Sequence, residues 1–98
     1  VNKVGSTVEK MLKKYGLWQG YQQYLAVENW SDVVGLPLSS VTRSESISRG
    51  VLRVNVKDSV WAYHLSLLKP KLIEQLNNHI GNKVVKDIFF VIESIDSS

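Results

Sequence analysis

From Gly50 to Leu68 the chain reads GVLRVNVKDSVWAYHLSLL, and this run constrains the fold more than any other stretch. Leu52, Val54 and Val56 alternate with Arg53, Asn55 and Lys57, the period-two pattern of a strand with one buried face. Asp58 and Ser59 follow, both good helix N-caps. Behind them Trp61, Leu65, Leu68, Leu72 and Leu76 stand at intervals of 4, 3, 4 and 4, which stacks them on one face of a long helix. Pro70 falls inside that pattern, where it removes a backbone hydrogen bond and predicts a kink or a junction of two helices. Gly81-Asn82 ends the helical stretch.

The remaining elements assemble around this unit. Ser6 and Glu9 form a capping-box pattern ahead of Val8, Met11, Leu12 and Tyr15, so a first helix is predicted over about 7–15. A second helical stretch runs over about 17–34, with a break possible near Asn29–Ser31, and Gly35 and Pro37 close it. Strands are predicted over 41–47 and 51–57, joined by a short hairpin loop at Ser48-Arg49-Gly50 with Gly50 at positive φ. Residues 86–93 form the last strand. Ile88, Phe90 and Ile92 point one way and Phe89 and Val91 the other, so both faces are apolar, as in a central strand or one whose outer face is covered or binds a ligand.

The order is therefore α-α-β-β-α-β. The helix between the last two strands is long enough for a crossover, which makes those strands parallel and the connection right-handed. An α+β domain follows, a three-stranded sheet with helices packed on one face. Ninety-eight residues hold one such domain: a helical part over about 7–35, a ββαβ part over about 41–93 and a polar tail at 94–98.

The chemistry-bearing residues are sparse. No Cys is present, so disulfides, thiolate catalysis and Cys-based zinc sites are excluded. His64 and His79 are the only histidines, fifteen residues apart; His64 lies off the apolar stripe, His79 near its end, where a packed or capping role suits it. The nine acids are scattered singly, and no phosphate-loop or dinucleotide glycine motif occurs, so neither an enzyme nor a cofactor site is expected. The longest apolar run, Ile88 to Ile92, is far too short to span a bilayer.

What remains is a basic bias, a net charge of +3 and a pI near 9.3. Lys10, Lys13 and Lys14 lie on the outer face of the first helix; Arg43, Arg49, Arg53 and Lys57 lie on the hairpin. If the polar face of the hairpin is open, Arg53, Asn55 and Lys57 line up at alternate positions, a row suited to sequence-independent phosphate contacts; otherwise it is a solvated face. Lys69, Lys71, Lys83 and Lys86 add charge on and after the long helix. Phe89 could stack a base on an open sheet face, but a place in the core is the favoured reading.

The pattern also resembles a known family. Trp30-x-x-Val33-Val34-Gly35, the run Gly50-x-Leu52-x-Val54-x-Val56-x-x-Ser59-x-Trp61-Ala62-x-x-Leu65, then Leu72–Asn77 and Gly81-Asn82-Lys83-Val84-Val85-Lys86-Asp87-Ile88 are similar to the DciA family over about residues 17–92. The resemblance implies a K-homology-like α-α-β-β-α-β fold in a bacterial, cytoplasmic protein that is not an enzyme and needs no cofactor or metal. It further implies a DNA-replication initiation factor that binds the replicative DNA helicase, assists its loading, and holds single-stranded or duplex DNA weakly and without sequence preference. Lys10, Lys13, Lys14, Arg43, Arg49, Arg53 and Lys57 are the candidate DNA contacts. K-homology domains that clamp single strands use a G-x-x-G loop, and none occurs here, so that mode is not implied. A K-homology-like RNA- or ribosome-associated protein and a structural homodimer are the alternative readings.

Overall fold

The computed structural model describes residues 6–93. The expected Ser6 cap and the polar tail at 94–98 lie outside the described side chains. Four helices lead the chain: α1 (Ser6–Lys14), α2 (Trp18–Glu28), α3 (Trp30–Val34) and α4 (Leu38–Val41). They are followed by β1 (Thr42–Ser48), β2 (Val51–Val56), α5 (Ser59–Ile80) and β3 (Asp87–Ile92). The second helical stretch breaks at Asn29, whose side-chain amide donates to the Leu25 carbonyl at 2.9 Å. That bond competes with the helix ladder for the same acceptor. The single turn α4 was not expected from the sequence; Leu38-Ser39-Ser40-Val41 is too short to show a period.

The sheet order is β1-β2-β3. β1 and β2 form an antiparallel hairpin, and β2 and β3 are parallel across the α5 crossover, as expected. β3 is therefore an edge strand and β2 the central one, which corrects the central position considered for β3. Leu52, Val54, Val56 and Ile88 point to the helical side, where they form one core with Ala26, Trp30, Leu65, Leu72 and Leu76. Every one of these is essentially buried. Among the described residues no helix packs on the opposite face of the sheet, and Phe89 is 58% exposed on it. The core placement favoured for Phe89 is thus wrong, because the described helices cover only one face of the sheet.

Two polar ties fix the helices to the sheet. The buried Trp30 indole donates to Thr42 Oγ1 at 2.8 Å, and that hydroxyl donates onward to the Leu38 carbonyl at 2.7 Å. Ser44 Oγ donates to the Val27 carbonyl at 2.7 Å. At the other end of the hairpin Asp58 caps α5, its carboxylate accepting from the Trp61 N–H at 3.0 Å. α5 runs unbroken through Pro70, about 33 Å of helix. The sequence expectation of a junction at Lys69-Pro70 is not realised, since Leu65, Leu72 and Leu76 on either side are held in the same core.

Candidate nucleic-acid interface

The β1–β2 connection is a two-residue turn, with Ser48 paired to Val51 and only Arg49 and Gly50 between them. Both have positive φ, 53° and 83°, the signature of the turn that matches the strand twist. Gly50 suits that position. Arg49 does not, because an L side chain in the left-handed region crowds the backbone. The Gly50 carbonyl accepts from the N–H of Lys86 at 2.7 Å and of Asp87 at 3.2 Å, which pins the hairpin tip to the start of β3.

The loop between α5 and β3 is organised by one side chain. Asn77 Oδ1 accepts from the N–H groups of Val84 and Val85 at 3.0 and 2.8 Å, and its Nδ2 donates to the Val85 carbonyl at 2.9 Å. Those bonds hold Lys83 and Lys86 in place on either side of the buried Val85. Between this loop, the hairpin tip and the start of α2 lies a cleft of about 530 Å³. Arg49, Lys83 and Lys86 contribute its charge, and Trp18, Gln19, Gln22 and Gln23 its α2 wall. No acidic side chain among the described residues lines it. The first turn of α2 has no acid and no side-chain cap, so its free N–H groups add to the positive field.

The seven candidate residues do not form one row. Arg49 alone lines this cleft. On α1, Lys13 pairs with Glu9 at 2.9 Å and stands 5.5 Å from the centre of the Trp18 ring beside the cleft, while Lys14 lies over Tyr15 and Lys10 is exposed. Arg53 sits on the open sheet face opposite Phe89 in register, with its guanidinium 3.7 Å from Glu93. Arg43 is at the far end of β1, in a small depression with Trp30, Ser31 and Ser40. Lys57 lies past the end of β2. The row expected from Arg53, Asn55 and Lys57 is interrupted, since Asn55 is 5% exposed. Its amide donates to Glu45 at 2.6 Å, where Glu45 is the extra residue of a β-bulge.

Lys69 approaches the Asp87 carboxylate at 2.9 Å. That contact, helped by the Ile88 N–H, holds the Asp87 pKa below the ordinary carboxylate value. Lys83, Lys86, Gln22 and Asn77 are the contributors to this region that were not among the candidate contacts. Lys83 and Lys86 are visible in the sequence only as added basic charge and, with Asn77, as part of the segments quoted for the family resemblance; Gln22 has no such signal, and nothing in the spacing places these residues beside Arg49. Among the described residues, no cluster of three or more His, Asp or Glu side chains could hold a metal ion, and no helix is long and apolar enough to cross a membrane.

Residues 3–90 match the family described as "Dna[CI] antecedent, DciA". The chain belongs to the DciA family. Among its relatives, an UPF0232 protein of Mycobacterium ulcerans is 27% identical over 86 residues, covering 87% of this chain and 46% of the relative. An UPF0232 protein of Mycobacterium bovis is 26% identical over 85 residues with the same coverage, and one of Corynebacterium glutamicum is 20% identical over 85 residues, covering 87% and 48%. The chain thus spans about half the length of the curated relatives it matches. The DciA match takes in α2, the hairpin, α5 and the loop to β3, which are the elements that build the cleft.

Proposed function

We propose that this DciA-family domain is a non-enzymatic adaptor in the initiation of DNA replication. It contacts the replicative helicase and holds DNA weakly, without sequence preference, so that the two are brought together during helicase loading. Family membership supports the helicase half. The observation that carries the DNA half is the acid-free cleft lined by Arg49, Lys83 and Lys86. Cations clustered without neighbouring carboxylates suit a phosphate backbone, whose binding is dominated by counterion release and is insensitive to sequence.

Size-exclusion co-elution with the replicative helicase of the same organism, combined with salt-titrated binding to single-stranded DNA, duplex DNA and RNA, tests this reading. Co-elution and salt-sensitive DNA binding are expected. A strong RNA preference with no helicase contact would instead favour the RNA- or ribosome-associated alternative.

A further inference from the structure

Gln22 stands apart from the rest of the cleft wall. It is 8% exposed and lines the cleft, and neither of its amide atoms is a fully buried polar atom lacking a partner. At that wall its amide offers two donors and an acceptor to whatever enters the cleft. Beside it stands Trp18, a partly exposed indole at the first position of α2 that lines the same space. Across the cleft, Arg49 occupies a left-handed turn position where Asn or Gly is preferred, and such strained positions concentrate at binding sites. A cleft of this volume lies within the range of about 300–1,000 Å³ typical of ligand sites.

From this juxtaposition we infer that the cleft holds an unpaired nucleotide of a single-stranded nucleic acid. The base stacks on Trp18 and meets the Gln22 amide at its edge, and the flanking phosphates lie against Arg49, Lys83 and Lys86. A bare anion would use the cations and the amide N–H and gain nothing from the indole, which in the free domain has Lys13 5.5 Å from its ring centre and the Tyr21 ring at 6.0 Å. A duplex keeps its bases stacked inside and would leave the indole equally unused. The inference rests on reading the cleft as a nucleic-acid site and adds to it the mode of contact and the residues that recognise a base.

The test compares two fifteen-residue strands of equal charge, oligo-dT and an abasic phosphodiester chain, by fluorescence anisotropy at several salt concentrations. The wild-type domain is expected to prefer oligo-dT, since stacking on an aromatic is worth about 1–3 kcal/mol per base, a factor of about five or more. Trp18→Leu should reduce that preference by about fivefold, whereas Trp18→Phe should retain most of it. The Phe variant also shows that any loss comes from the ring and not from unfolding. Arg49→Ala and Lys83→Ala should weaken both strands and each flatten the log–log salt slope by about 0.7. An unchanged dT-to-abasic ratio in Trp18→Leu, or a wild type with no preference, overturns the inference while leaving DNA binding intact. Binding to neither strand overturns the reading of the cleft itself.

Discussion

The side chain of Lys86 lies across Gly50, so closely that a Cβ at residue 50 would stand 2.9 Å from both Cγ and Cδ of the lysine. With the Gly50 carbonyl accepting the Lys86 N–H at 2.7 Å, this packing joins the hairpin tip to the loop before β3 and so brings Arg49 and Lys86 to one cleft.

Gly50→Ala should therefore do two things. The left-handed backbone penalises any Cβ by roughly 1–2 kcal/mol, and the added methyl pushes the Lys86 side chain off the turn. Gly16 has a positive φ of 71° with nothing within 4 Å of its would-be Cβ, so Gly16→Ala isolates the backbone part. In urea unfolding, Gly50→Ala is expected to lose more stability than Gly16→Ala and also to weaken polyanion binding. Equal losses would mean that the Lys86 contact contributes nothing.

Arg49→Asn separates stability from binding. Asn tolerates the left-handed region and is favoured at the first central position of this turn. The variant should recover part of the roughly 1–2 kcal/mol left-handed cost and so be more stable, and it should bind oligonucleotides more weakly. A thermal melt and a binding isotherm on the same preparation check both signs.

Thr42→Val removes the hydroxyl that bridges the buried Trp30 indole and the Leu38 carbonyl while keeping the shape of the side chain. It leaves a buried donor unpaired, which costs about 1–3 kcal/mol. Thr42→Ser should lose much less. If the two variants melt together, the hydroxyl bridge is not a stabilising contact.

The Lys69–Asp87 contact lowers the Asp87 pKa in the folded state from its ordinary 3.8. A depressed carboxylate contributes stability above its unfolded pKa, and that contribution is lost as pH falls through the lower folded value. Because Asp87 is well exposed, the effect on global stability is small. The clearer readout is site-specific: Lys69→Met should raise the Asp87 pKa measured by carboxyl NMR, and should reduce the acid-side slope of stability below about pH 4. No rise in that pKa would show the pair to be open in solution.

Much of this architecture is written in local patterns. The alternation of Leu52, Val54 and Val56 and the stripe from Trp61 to Leu76 encode β2, α5 and their shared core, and the crossover length implies the parallel β2–β3 pair. Phe89 was misread for a physical reason. Asp87–Ile92 is apolar on both faces, and a sequence does not say whether a second layer covers the outer one. Pro70 gave a false break because tertiary packing on both sides outweighs one missing backbone bond. The candidate site was legible only in part. Alternation along β2 grouped Arg53 with Asn55 and Lys57, but the turn geometry sends Arg49 elsewhere, and the parallel crossover sets Lys83 and Lys86 beside it from more than thirty positions away. That contact is a property of topology, with no local signal, and Gln22 carries no signal beyond being a polar residue on a buried helix face.

The most direct test of the cleft as the interface is an NMR titration of the isotope-labelled domain with oligo-dT, following backbone amides, the Trp18 indole and the Gln22 side-chain amide. The account predicts shifts concentrated at Trp18, Gln22, Arg49, Gly50 and the Lys83–Lys86 segment, fading as salt is raised. Shifts confined to the open sheet face around Arg53, Phe89 and Val91, with the cleft unperturbed, would contradict it.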